Sequence, residues 1–296
     1  MQPSRLKSVL SIWLVFSHLA YANKEVISFN VLGRNEANVF VHKVIPIKSI
    51  HSNSSLKLVS PHPIKNPHKT VNVWEGFEVR AMLRANHFNL QPNEEIVFVG
   101  SDKYVAQLKI REILKHKILI ALKRDGNKIE WYDGGPQLVY PNQSKDLPDY
   151  LQKDSWWAWA ICAIFIGSSP PQLRILSPEK NRLLNLSNRK GNSTRQKRSY
   201  PHGPRTVGAP KSDAEVSWVS LHDVFGTSIG DQKLKFAVTT YLGESIIVSG
   251  SPTSLVLQFA WNGETISPAF GGPVQLCEMG SQSKCTFFVK SIELVP

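Results

Sequence analysis

The chain contains neither a GxGxxG nor a GxxxxGK[ST] phosphate loop. Dinucleotide binding through a Rossmann turn and P-loop chemistry therefore have no sequence support. Cysteine is scarce, with only Cys162, Cys277 and Cys285 among the 296 residues. No Cys-His nucleophile arrangement can be drawn from them. Cys277 and Cys285 flank EMGSQSK and could close a hairpin by a disulfide in an oxidising compartment, if their Cα atoms come within about 7 Å. Cys162, inside an apolar strand, reads as a buried small hydrophobe. His51, His62 and His68 have no carboxylate or Cys beside them, so they read as an exposed Pro-rich loop, and no metal site is expected.

Acidic residues are also in deficit: 23 against 35 basic ones, for a formal charge of +12. That balance favours anionic partners. Much of it sits in Ser187–Asp213, where Arg189, Lys190, Arg195, Lys197, Arg198, Arg205 and Lys211 face Asp213 alone. Gly, Ser and Pro dominate there, so residues 187–213 are expected to form a flexible basic loop. Apart from Tyr200 the stretch lacks the interleaved aromatics of a nucleic-acid arm, and nucleic acid is not expected as a partner.

Apolar runs long enough to span a bilayer are missing as well. WWAWAICAIFIG, from Trp156, falls short of the ~20 residues required. At the start, Arg5 and Lys7 precede an apolar run from Val9 to Ala20 and an Ala20-Tyr21-Ala22 end. Residues 1–22 therefore read as a cleaved secretory signal rather than an uncleaved anchor helix, because the run is short of the ~20 residues a span needs and His18 interrupts it. The expectation is a periplasmic or secreted protein with no stable membrane insertion.

What the chain does have is a repeat. RDGNKIEWYDGGP, from Arg124, returns as WNGETISPAFGGP, from Trp261. The surroundings match in order. Val73-Trp74 before EGFEVRAMLR corresponds to Val216-Ser217-Trp218 before VSLHDVFG. EEIVFVGSDKYVAQLKI corresponds to QKLKFAVTTYLGESIIV, each reading as a β-hairpin. DG and NG mark two-residue turns, because positive φ is cheap for Gly, Asn and Asp. WAICAIFIG and FFVKSIELV supply a last strand to each copy. We expect an α+β, mostly β chain with domains at 23–168 and 169–296, the second copy diverged in its front half.

The ordered series Trp74, Gly76, Val79, Met82 and Leu83, then Ser101, Asp102 and Tyr104, then Ala121, Asp125 and Gly126, then Gly134, Gly135, Pro136, Leu138 and Pro141, resembles the oxidoreductase molybdopterin-binding domain. The SWWAWAICAI end is similar to small exported variants of it. The resemblance implies two tandem sulfite-oxidase-type units and a pocket at strand tips. In that family a cysteine upstream of the Trp-x-Gly segment ligates molybdenum, a soft metal suited to thiolate. No Cys lies between Asn30 and Thr70, or between Leu173 and Val216. Basic residues before the last strand are reduced to Lys153 beside Asp154.

The expectation is therefore a binding protein without a cofactor or catalytic residues, holding a small anionic ligand or an exported or membrane-anchored sensor protein. The alternative is a periplasmic molybdopterin-dependent oxidoreductase with oxygen or nitrogen ligands to the metal. Candidate ligand-binding residues are Asp102, Tyr104, Arg124, Gly134, Gly135 and Trp157. Asp102 and Tyr104 lie on a strand-turn tip, Arg124 offers bidentate contacts, the glycines permit close backbone approach, and Trp157 offers a stacking face.

Overall fold

The computed structural model describes residues 28–50, 54–59, 71–141, 148, 158–177, 180–189, 191–197, 213–226, 229–230, 232–279 and 285–295. Residues 1–22, read above as a signal, His51, His62, His68, Trp156 and Trp157 lie outside them.

Strands dominate, as expected for an α+β, mostly β chain. In order they are β1 (Ser28–Arg34), β2 (Phe40–Pro46), β3 (Ser54–Val59) and β4 (Val71–Glu78), then helix α1 (Val79–Ala85). There follow β5 (Glu95–Gly100), β6 (Val105–Lys109), α2 (Ile110–Lys115), β7 (Leu119–Arg124), β8 (Asn127–Lys128), β9 (Gln137–Val139) and β10 (Ile161–Ile166). The later part has β11 (Gln172–Ser177), β12 (Lys180–Asn185), β13 (Asn192–Lys197), β14 (Asp213–Ser220) and α3 (Leu221–Phe225). It ends with β15 (Leu234–Thr240), β16 (Ser245–Gly250), β17 (Leu255–Trp261), β18 (Glu264–Thr265), β19 (Gln275–Glu278), β20 (Cys285–Thr286) and β21 (Val289–Val295).

Two of the sheets have the orders β2-β1-β10-β5-β6 and β12-β11-β21-β15-β16, each with one parallel pair, β1 with β10 and β11 with β21. The other two run β3-β4-β7-β8, with β9 on β7, and β13-β14-β17-β19-β20, with β18 on β17. Asp125 and Gly126 have φ of 51° and 78°, and Asn262 and Gly263 have 51° and 81°. Positive φ at both central positions is the turn that matches strand twist in a tight hairpin.

The structure differs from the sequence reading at two places. Within residues 187–213, Asn192–Lys197 is not loop but the edge strand β13, paired antiparallel with β14. Backbone pairing to β14 outweighs a polar composition there, because an edge strand can leave side chains such as those of Ser193 and Arg195 in water. Secondly, Trp218 does not take the place of Trp74. Val73 O accepts from Asp125 N, and Glu215 O accepts from Asn262 N, each at 2.7 Å, which sets Val216 against Trp74 and Trp218 against Gly76.

One core lies between the first sheet and the β3–β9 sheet and includes Phe29, Trp74, Phe98, Tyr140 and Ile164. A second, around Phe236, Leu257 and Ile292, serves the later strands. A third cluster forms the seam between the two regions. Cys162, Ala163 and Phe165 of β10 meet Tyr241, Leu242, Ala269 and Phe288 there. Phe165 and Phe288 stack with centroids 5.7 Å apart. This is why ICAIFI is apolar throughout: both faces of β10 are buried, so alternation is lost. A bulge between Ile161 and Ala163 lets Cys162 and Ala163 both serve the seam face.

Candidate functional site

An apolar cleft lies at the corner that precedes the first Gly-Gly-Pro. The β7–β8 hairpin turns at Asp125-Gly126, and Ile129 N then donates back to Leu122 O at 2.8 Å. A single 3-10 turn, Trp131–Asp133, ends at Gly134, which adopts φ +90°. Gly134 N donates to Trp131 O at 3.0 Å and Gly135 N to Glu130 O at 3.1 Å. Glycine is required at both positions for different reasons. At 134 the left-handed backbone favours it, and at 135 a Cβ would stand 2.4 Å from Ile129 O.

The same corner recurs at Thr265–Pro273. Gly271 N donates to Pro268 O and Gly272 N to Ser267 O, each at 3.1 Å, and both Gly-Pro bonds are cis. Gly271 packs against Phe287 as Gly134 packs against Trp159.

The first corner opens on a cleft of about 260 Å³ walled by Ile47, Leu122, Ile129, Trp131 and Pro136, with Lys123 and Lys128 on its rim. Lys128 Nζ lies 3.3 Å from Glu130 Oε2. Lys123 is exposed, and among the described residues no side-chain partner accompanies it. An apolar and aromatic wall beside a surplus cation suits an anion with a flat or apolar body.

Of the residues singled out from sequence, Gly135 lines this cleft and Gly134 shapes it. Asp102 and Tyr104 lie at the β5–β6 turn, where Asp102 Oδ1 accepts from Tyr104 N at 2.9 Å and so orders its own turn. That turn is tied to the glycine corner through Trp159-Ala160, because Ser101 N donates to Ala160 O at 2.9 Å and Ala160 N to Gly134 O at 2.8 Å. Neither Asp102 nor Tyr104 lines the cleft. Arg124 lies elsewhere, its guanidinium 5.7 Å over the Trp74 ring. Trp157 lies outside the described residues. Sequence reasoning missed Lys123, Lys128 and Trp131, although the KRDGNKIEW hairpin holds all three. The available signal was the DG turn, which folds the two lysines to the same end of one hairpin.

The thiols answer the question of a molybdenum ligand. Cys277 and Cys285 form a disulfide across β19 and β20, with Cα atoms 4.2 Å apart. Cys162 is buried, and its Sγ donates to Val99 O at 3.5 Å. Burial pushes its thiol well above the usual range, with the Glu244 and Asp102 carboxylates adding to the effect. No cysteine is therefore placed as a soft anionic ligand, and the donor set does not fit a thiolate-held molybdenum.

Comparison with known proteins agrees with the resemblance. Residues 47–143 match the family model of the oxidoreductase molybdopterin binding domain, a span that contains Trp74 through Pro141. No curated protein matches the sequence. Among solved structures, the sulfane dehydrogenase SoxCD from Paracoccus pantotrophus is similar over 89% of this chain and 78% of that one, at 8% sequence identity and a TM-score of 0.37.

Proposed function

We propose that this chain, with a molybdopterin-binding-type domain at residues 47–143, is an exported binding protein that has kept the scaffold and lost its redox centre. The observation that carries the reading is the state of the thiols: two are joined and the third is buried against a carbonyl. Export is supported by the basic head, apolar run and Ala-Tyr-Ala end of residues 1–22, and a disulfide is in keeping with an oxidising compartment. Duplication into units at 23–168 and 169–296 is supported by the matched sheet orders and the two Gly-Gly-Pro corners.

In this reading the cleft beside Trp131 takes a small anion. Its apolar body lies on Ile129, Trp131 and Pro136, and Lys123 and Lys128 meet the charge. The tip at Asp102 and Tyr104 keeps a supporting role, because it holds the Trp159-Ala160 strap that fixes Gly134.

Protein purified from its own compartment tests the loss of the redox centre. Elemental analysis and pterin fluorescence of the denatured sample are expected to show neither molybdenum nor pterin; stoichiometric amounts of both would restore an oxidoreductase with non-cysteine ligation. Calorimetric titration with phthalate tests the cleft. Binding that weakens about tenfold in the Lys123→Ala/Lys128→Ala variant is expected for the loss of charge-assisted contacts. Binding unchanged by those substitutions, or none at all, would move the search to an exported or membrane-anchored protein partner.

A further inference from the structure

The two Gly-Gly-Pro corners differ in charge. Lys128, Glu130 and Trp131 of the first are replaced by Thr265, Ser267 and Pro268 in the second, a correspondence fixed by the shared hydrogen bonds from Gly135 to Glu130 and from Gly272 to Ser267. The second corner is partly open to solvent, with Thr265 exposed and Ile266 and Pro268 buried. It faces the end of the first sheet, and the two enclose a crevice of about 240 Å³ on the seam.

The first-sheet wall of this crevice presents acceptors. Glu95 is already engaged: Lys109 Nζ lies 2.9 Å from its Oε1, and Gln107 Nε2 donates to its Oε2. Glu94 differs. Its main chain is fixed on both sides, with Glu94 N donating to Gln91 O and Glu94 O accepting from Ile110 N, each at 3.0 Å. Its carboxylate rests against Gly167, where a Cβ would stand 2.8 Å from Oε2, and Gly167 has φ +66°. No side-chain hydrogen bond or ion pair to that carboxylate comes from the described residues.

A second observation is independent of the acid. Ser169 is 2% exposed, lines the same crevice, and its Oγ has no hydrogen-bond partner among the described residues. A buried hydroxyl without a partner carries a desolvation cost that a bound donor removes. Ser168, Thr265 and Ser267 add oxygen around it, and although the chain is strongly basic, neither Lys nor Arg lines the crevice among the described residues.

We propose that the seam crevice binds a small organic cation through a primary ammonium group, with Glu94 as the counter-charge and the Ser169 hydroxyl as a buried acceptor. An ammonium supplies three donors and no acceptor, which matches a wall of carboxylate and hydroxyl oxygens. A metal ion is a poorer fit, because Glu95 is engaged by Lys109 and no group of three or more His, Cys, Asp or Glu side chains converges among the described residues. The site is separate from the cleft beside Trp131 and stands whether or not that cleft binds anions.

Titration calorimetry on the full chain with putrescine tests this, with xylitol as a neutral polyol of hydroxyl donors. Putrescine is expected to bind, and Glu94→Gln to weaken it about tenfold or more, the scale of a lost charged hydrogen bond. Ser169→Ala is expected to weaken it by a smaller factor. Thr265 is exposed, so Thr265→Lys should leave the fold intact while setting a cation at the mouth, and it should abolish binding. The melting transition of each variant reports folding. Absence of putrescine binding to the wild type would overturn the proposal. So would unchanged affinity in a folded Glu94→Gln or Thr265→Lys variant, or xylitol binding as tightly as putrescine.

Discussion

His42 Nε2 lies 2.9 Å from Asn30 Oδ1, and its ring stands edge-on to Tyr241 at 5.4 Å, so a β2 side chain reaches across the seam. Burial, aided by the Lys290 charge, lowers its pKa to about 4 from 6.5. The folded state thus binds a proton less readily than the unfolded chain. Stability from the neutral ring is complete above the unfolded value and is lost as pH falls from about 6.5 towards 4. Urea midpoints measured at pH 7.5 and 4.5 should therefore fall at the lower pH. His42→Gln should narrow the gap; an equal drop in that variant would place the acid sensitivity elsewhere.

The disulfide joins residues eight apart in sequence. Closing so short a loop restricts the unfolded chain by about 2–3 kcal/mol. Cys277→Ser/Cys285→Ser is expected to lose that much in denaturant unfolding. Cys162 should remain unreactive towards a thiol reagent in the native protein and become reactive on unfolding, since burial holds its thiol protonated.

Two glycines of unlike surroundings separate clash from backbone strain. At Gly272 a Cβ would stand 1.9 Å from Ile266 O, whereas at Gly126 nothing lies within 4 Å and only φ of +78° opposes a side chain. Gly126→Ala should cost about 1 kcal/mol. Gly272→Ala should cost more, about 3 kcal/mol, because the corner must open. Chemical denaturation of both variants checks the order, and equal losses would contradict it.

Trp74 is 1% exposed and supports Arg124 on its ring face. Trp74→Ala is expected to cost about 3–5 kcal/mol as a large core truncation. Arg124→Ala should cost no more than about 1 kcal/mol, the scale of a partly exposed cation–π contact. If Arg124→Ala instead weakened anion binding as strongly as the two-lysine variant, Arg124 would belong to the cleft after all.

Much of the architecture was legible in the sequence because it depends on neighbours along the chain. Asp125-Gly126 and Asn262-Gly263 specify their turns by the backbone freedom of those residue types, and the hairpins β5–β6 and β15–β16 follow from alternation. The Gly-Gly-Pro corners were visible for the same reason. Composition misled at β13, where pairing with β14 rather than residue type decided the outcome, and pattern matching placed Trp218 two residues out of register.

By itself, then, the sequence determined the kinds of element, their order and the sites of turning. Tertiary structure decided what each residue meets. Cys277 and Cys285 were a pair of candidates until β19 and β20 brought their Cα atoms to 4.2 Å. Glu94 and Ser169 looked like any surface acid and any loop serine until packing across the seam set them opposite Thr265 and Ser267. Local rules act through one residue's backbone and its near neighbours, whereas a site is made of side chains far apart in sequence whose meeting depends on how whole sheets pack.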